Sequence, residues 1–370
     1  MKQDEILYAL TDIRTEYIEE AAPARRRPIR RWMIAAVAAS LAVLLMGAGV
    51  IFGGSVQDWM DHRWSLENTR PMGESQTALV DSMSQEIGLT QTIGGITVDV
   101  IIPSDYMIER LVKEDMLEEV DFSKITNYSL IDEKYKGLYF DPEEKFSVPY
   151  NVGMFGLIYN SATVQEAPDS WAVMWDEKYK GDILTFNNPR DSFAIAQLLL
   201  GIDLNTTDKA ELQHCADLLK QQKPVLQQYV MDEIFATMQN EEAWIAAYYA
   251  GDYLVMAEEN PDLKFFLPEH QGFNLFIDAM CIPTCAQEKE AAEVFINFLC
   301  DPEISAANME WVCYSTPISE ARQYLDPEVA NSEVSYPAAE KLIKASSYSF
   351  LNPETTRLVE ALFMNVRNSQ

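Results

Sequence analysis

The chain has 370 residues, 48% of them hydrophobic and 23% charged, with 58 acidic side chains against 28 basic ones and a net charge of −30. This apolar content excludes general disorder, and the length allows roughly two folded units of about 150 residues each. The acidity excludes a nucleic-acid partner, because a phosphate-binding surface needs clustered Lys and Arg.

The charge is not evenly spread: residues 1–53 sum to +1 and residues 54–370 to −31. In the first 31 residues, Ile6, Ala9, Leu10, Ile13 and Tyr17 fall at the spacing of a short amphipathic helix. An Arg cluster follows (Arg25, Arg26, Arg27, Arg30, Arg31), and residues 32–52 then carry no charge at all. At ~1.5 Å per residue this run makes a helix of about 31 Å, enough to cross a ~30 Å hydrocarbon layer. The Arg cluster predicts residues 1–31 inside the cell and everything after Gly53 outside, so that residues 32–53 form an uncleaved signal anchor. This layout resembles small membrane-anchored anti-sigma-like proteins of Gram-positive bacteria. That resemblance implies a cytoplasmic partner for residues 1–31 and, as an alternative function, a membrane-anchored regulator with a degenerate or sensory outer domain.

Residues 54–98 hold no sustained pattern and are expected to be a stalk or a poorly specified segment. The residues from Thr97 to Pro103 predict a short strand, after which Ser104 is placed to cap a helix bearing Ile108, Leu111 and Val112. Phe146 to Tyr150 and Met154 to Asn160 read as strands, as do Ile183 to Phe186, Ile245 to Tyr249, Phe265 to Pro268 and Leu275 to Met280. Helices are expected from Ser192 to Leu200, around Leu212, Cys215, Ala216 and Leu219, and around Ala291, Val294, Phe295, Phe298 and Leu299. Strands alternating with helices mean an α/β architecture, in which ligands gather at strand ends and helix N-termini.

Enzyme signatures are missing. There is no Gly-x-Ser-x-Gly elbow, phosphate-binding Gly-rich loop or His-Glu-x-x-His pair, and the three histidines (His62, His214, His270) are far apart in sequence. The cysteines at 215, 281, 285, 300 and 313 lack zinc-ligand spacing, and Cys215 and Cys300 read as core residues. No catalytic residue, metal or cofactor is assigned.

What recurs at strand ends is an aromatic beside a small polar or acidic residue: Ser104-Asp105-Tyr106, Asn188 with Asp191, Tyr249 with Asp252, Phe276 with Asp278, and Tyr314-Ser315-Thr316. A polyamine needs this combination, carboxylates for its ammonium ends and flat apolar walls for its methylenes, where cation–π attraction adds roughly 0.5–2 kcal/mol each. Any one of these residues has an ordinary structural use, since aromatics fill cores and an Asp at a helix start caps backbone N–H groups. The set points to a ligand.

From about Asp99 onward the chain closely resembles the spermidine/putrescine-binding proteins of ABC importers. The matching stretches are VIIPSDYMIERLVKEDMLEEVDFSKI, DSWAVMWDEKYKGDILTFNNPRDSF, LGIDLNTTDKAELQ, INFLCDPEISAANMEWVCYSTP and VSYPAAEKL. The resemblance implies a two-lobed, type II periplasmic-binding-protein-like fold with crossings near residues 148–160 and 265–278. Lobe 1 is expected from residues 99–152 and 273–370, and lobe 2 from 153–272. It also implies a polyamine (spermidine or putrescine) held between the lobes and presented to the permease subunits in the membrane. Carried over position by position, the ligand residues are Ser104, Tyr106, Asn188, Asp191, Tyr249, Phe276, Asp278, Tyr314 and Tyr348, with Asp278 and Asp191 as the two ammonium partners. Asn188 stands where many members have an acid, Tyr249 and Phe276 where Trp is usual, and Val152 replaces an aromatic. Residues 54–98 do not resemble the family's opening strand, aromatic loop, helix and second strand, which implies an N-terminally truncated first lobe.

Overall fold

The computed structural model describes residues 98–369. The expected amphipathic lead-in, apolar span and nearly all of the stalk lie outside these residues. Among the described residues, no helix is long and apolar enough to cross a membrane.

The organising element is β1, Ser147–Asn160, a single buried strand of 14 residues where the sequence suggested two. Its first half pairs antiparallel with β6, Phe273–Cys281. Its second half pairs antiparallel with β4, Ile245–Tyr249, and with β5, Leu263–Phe266. The changeover comes between Met154, opposite Leu275, and Phe155, opposite Tyr249. The chain does not turn at Gly153 because both halves are apolar and both find partners.

Beyond β4 the sheet continues through β2, Ile183–Phe186, to β3, Leu226–Val230, both parallel to their neighbours. All four residues of β2 are buried, as expected of a strand covered on both faces. Helices α2, Pro189–Leu200, and α3, Lys209–Gln222, follow β2, while α4, Glu233–Gln239, and α5, Ala250–Glu259, flank β4. The core of this lobe holds Phe155, Trp171, Phe186 and Tyr248. Burial of Phe155 and Phe186 contributes about 1.5–3 kcal/mol each.

The other lobe gathers α1, Asp105–Lys113, the first half of β1, most of β6, and helices α6, Lys289–Leu299, and α7, Pro302–Val312. The expected strand before Ser104 is only extended chain touching β6 at two antiparallel bridges, Ile101 with Cys281 and Ser104 with Asp278. Pro103 between them has no N–H to donate, so no ladder builds. On α6 the buried stripe is Ala292, Val294, Ile296 and Leu299, with Glu293 also inside. Phe295 and Phe298 are only partly buried. Glu293 is satisfied there by Lys124 at 2.9 Å and by the Asp121 N–H at 3.1 Å.

The chain's end corrects the expected lobe boundary. After the short α8, Pro327–Ala330, strand β7, Ala345–Ser346, adds parallel to β6 at Phe273 and Asn274. The last helix, α9, Pro353–Asn368, then packs Val359, Leu362, Phe363 and Val366 against Phe193, Leu212, Cys215 and Leu219 of α2 and α3. These closing residues therefore belong to lobe 2 rather than lobe 1, because the apolar groove between α2 and α3 is what their amphipathic face buries. All five cysteines are free thiols, four of them buried.

Candidate functional site

The site lies where the lobes meet, along the changeover in β1. At its lobe 1 end, Ser104 holds the N-cap position of α1 with extended backbone (φ −74°, ψ 157°) but makes no capping bond. Its hydroxyl instead donates to Asp278 Oδ1 at 2.7 Å. Asp278 projects from β6 opposite Asn151 of β1. Burial raises its carboxyl above the usual range, and the Ser104 and Asn151 side chains pull in the opposite direction. A cation placed here would restore the charged form.

Two residues back along β6, on the same face, Phe276 lies over Gly153 of β1. A Cβ on Gly153 would sit 2.2 Å from Phe276 Cζ and 2.9 Å from Tyr314 Cε1, so only glycine lets both rings lie on the strand. Tyr314, following α7 in lobe 1, also covers Gly251 at the start of α5, where a Cβ would be 2.6 Å from its ring. Phe276 is 6.0 Å from Tyr314 and 5.9 Å from Tyr249, centroid to centroid, with edge-to-face tilts of 62° and 83°. These three rings form a wall spanning both lobes.

At the lobe 2 end stands Asp191, in the first turn of α2 and 6% exposed. It is not a cap. Asn188 takes that role, its Oδ1 accepting from the Asp191 N–H at 2.8 Å, while Pro189 opens the helix. The Asp191 carboxylate is left to other donors. Its Oδ2 accepts from Asn188 Nδ2 at 2.6 Å and from the Tyr249 hydroxyl at 2.5 Å, and its Oδ1 accepts from the Tyr348 hydroxyl at 2.8 Å. Burial, and then the Asp191 charge, push the phenols of Tyr249 and Tyr348 far above their ordinary range, so both stay protonated donors. Tyr106 meets Tyr348 edge-on at 5.9 Å, its phenol pushed up to about 12 by burial and Asp191. Seven of the nine residues singled out in the sequence are thus joined by side-chain contacts, and the Ser104–Asp278 pair lies two residues along the chain from Tyr106 and Phe276.

A model of the family "Bacterial extracellular solute-binding protein" matches residues 96–344. The chain belongs to the bacterial extracellular solute-binding proteins. Among its curated relatives, the spermidine/putrescine-binding periplasmic protein of Escherichia coli (strain K12) is 32% identical over 245 residues, which is 66% of this chain and 70% of the relative. Among solved structures, a putative spermidine/putrescine ABC transporter protein from Listeria monocytogenes superposes with TM-score 0.73 at 32% identity, covering 80% of this chain and 89% of that one. The spermidine/putrescine substrate-binding protein of Streptococcus pneumoniae gives 0.69 at 32% identity, covering 79% and 88%. The two-lobed fold expected from the sequence is that of this family.

The nine ligand positions leave out three further residues at the site of this solute-binding protein. Asp252, in the first turn of α5, has its carboxyl raised to about 7 by burial and by Asp232. Arg190 lies with its guanidinium 4.6 Å above the Tyr348 ring and donates to Asn205 Oδ1 at 2.8 Å and the Ser349 carbonyl at 3.3 Å. Together with the bond from Asn205 Nδ2 to the Ser347 carbonyl at 2.9 Å, this fixes Tyr348 to lobe 2. Asp105, the residue after Ser104, is fully buried within reach of the Asp278 charge. Its position was readable, because residues 105, 108, 111 and 112 share one helical stripe and an acid in an apolar stripe is conspicuous. Arg190 gave no such signal, since its partners are more than a dozen residues away in sequence.

Proposed function

We propose that this solute-binding protein is the extracytoplasmic receptor of an ABC importer and binds spermidine or putrescine between its lobes, handing the ligand to the permease without chemical change. The observation that carries the reading is the pairing of a carboxylate at each end, Asp278 and Asp191, with an intervening wall of Tyr314, Phe276 and Tyr249. Ammonium groups would bond to the acids and the methylene chain would lie on the rings. Asp191 already accepts two donors on Oδ2 and one on Oδ1, which leaves one free acceptor direction on Oδ1 for an ammonium hydrogen. Asp278 uses Oδ1 for Ser104, and Asp252 adds negative charge beside Tyr314. The names of the relatives agree with this ligand class. The uncharged run at residues 32–52 after the Arg cluster supports a single anchoring span, with residues 1–31 free to meet an intracellular partner.

Calorimetric titration of the purified full chain with spermidine and with putrescine tests the reading, with 1,8-octanediol as the uncharged control. Saturation at one site per chain by an amine, with no heat from the diol, is expected. A cooperatively folded protein that gives no saturation with either amine overturns it.

A further inference from the structure

Asp105 is used by nothing so far described. It is 0% exposed, at the first position of α1. One carboxyl oxygen accepts from the Tyr106 N–H at 2.7 Å, while Oδ2 accepts from no donor. The group facing it is the Tyr139 hydroxyl. That hydroxyl has a single proton, and it is donated across the lobe boundary to the Tyr348 carbonyl. Tyr139 therefore turns a lone pair toward Asp105. An ionised Asp105 would set its own lone pairs against it, with the Asp278 carboxylate also nearby.

We propose that Asp105 is a positioning residue that works as a neutral, proton-donating acid, so that the chain Asp105 to Tyr139 to the Tyr348 carbonyl latches lobe 1 to lobe 2 and closing the lobes takes up one proton. The inference rests on the polyamine-receptor reading above. The groups that surround Asp105 agree with it. Burial, the dominant influence, and the Asp278 charge from β6 oppose ionisation, whereas the backbone at Tyr106, the Tyr139 hydroxyl and the backbone at Ile277 favour it, and the balance lies at about 7. Tyr139 itself is held far above its ordinary range by burial and then by Asp105, with Glu109 reinforcing this and Arg190 opposing it, so it remains a hydroxyl. The same seam carries two more contacts, the Phe350 N–H to Glu109 Oε2 at 2.6 Å and Lys113 Nζ 5.3 Å from the Phe350 ring centre. Tyr139 is 42% exposed, so the latch can release without disturbing a core.

The test is the affinity of the full chain for spermidine at pH 6 and pH 8, for wild type and Asp105→Asn. On this proposal opening the lobes hydrates Asp105, which is then ionised at both values, so the closed form loses ground as pH rises through about 7. The amide of Asn donates to Tyr139 at any pH. Taking the ratio of variant to wild type cancels the titration of Asp252, Asp278 and the ligand. This ratio is expected to be about tenfold higher at pH 8 than at pH 6. A ratio that stays flat, or an Asp105→Asn protein that binds poorly at pH 6, overturns the inference, whereas absence of binding by every form at both pH values overturns the receptor reading itself. Asp105→Thr, a smaller neutral donor, serves if the Asn variant does not fold. Tyr139→Phe is expected to release spermidine several-fold faster at pH 6, and an unchanged release rate also overturns the latch.

Discussion

Asp191 and Asp278 are both carboxylates in the cleft, yet their surroundings prepare them differently. Asp191 is ringed by three protein donors, so its charge is held in place before any ligand arrives. Asp278 has the Ser104 hydroxyl and the Asn151 side chain beside it, yet burial still raises its carboxyl, so an arriving ammonium has more to add there. Replacing Asp278 by Asn is therefore expected to cost spermidine binding about 1.5–3 kcal/mol, roughly 10- to 150-fold in affinity, with little change in melting temperature. Titration calorimetry and a thermal melt on the same sample check both halves of this statement. The roles of the two acids were only partly legible beforehand. Asp191 sits three residues after its capping Asn188, and the helix start is plain in the local sequence. Ser104 also looked like a cap, but its hydroxyl turns to a residue 174 positions away, a choice that no local pattern contains.

Among the elements, β1 and α5, with Gly251 in its first turn, decide where the aromatic wall can stand. Gly153 has no side chain because two rings occupy the space that one would fill. Changing Gly153 to Ala must push Phe276 and Tyr314 outward. It is expected to destabilise the protein by about 1–3 kcal/mol and to weaken spermidine binding at least tenfold, as read by melting and titration. A variant that binds at wild-type strength would show that the wall does not form part of the ligand's seat. Two helices of lobe 2, α2 and α3, were foreseen from their apolar spacing, with Leu212, Cys215, Ala216 and Leu219 all buried on α3, whereas α4 and α5 were not. The lobe that α9 would join was not legible. An amphipathic face records that it needs an apolar partner and not which one, and here the partner groove lies between α2 and α3.

For the molecule as a whole, a ligand that bridges the lobes must stabilise the folded chain against heat. At spermidine concentrations about a hundredfold above its dissociation constant, the gain is expected to be about 2.7 kcal/mol, which should raise the melting temperature by several degrees. Scanning calorimetry with and without spermidine reads this directly, and an unmoved transition would contradict the receptor assignment. The two-lobed plan was readable because the motifs carrying the family resemblance fall in both lobes. The seam through Tyr139, Tyr348 and Glu109 was not, because each of its bonds joins segments more than 200 residues apart.

That β1 is one unbroken ribbon limits how the halves can travel. Sliding one past the other would shear its ladder with β6 up to Met154 or with β4 from Phe155 onward, forfeiting many backbone bonds at once. Swinging about the point where its neighbours change leaves both ladders whole, much as a book opens without tearing its spine.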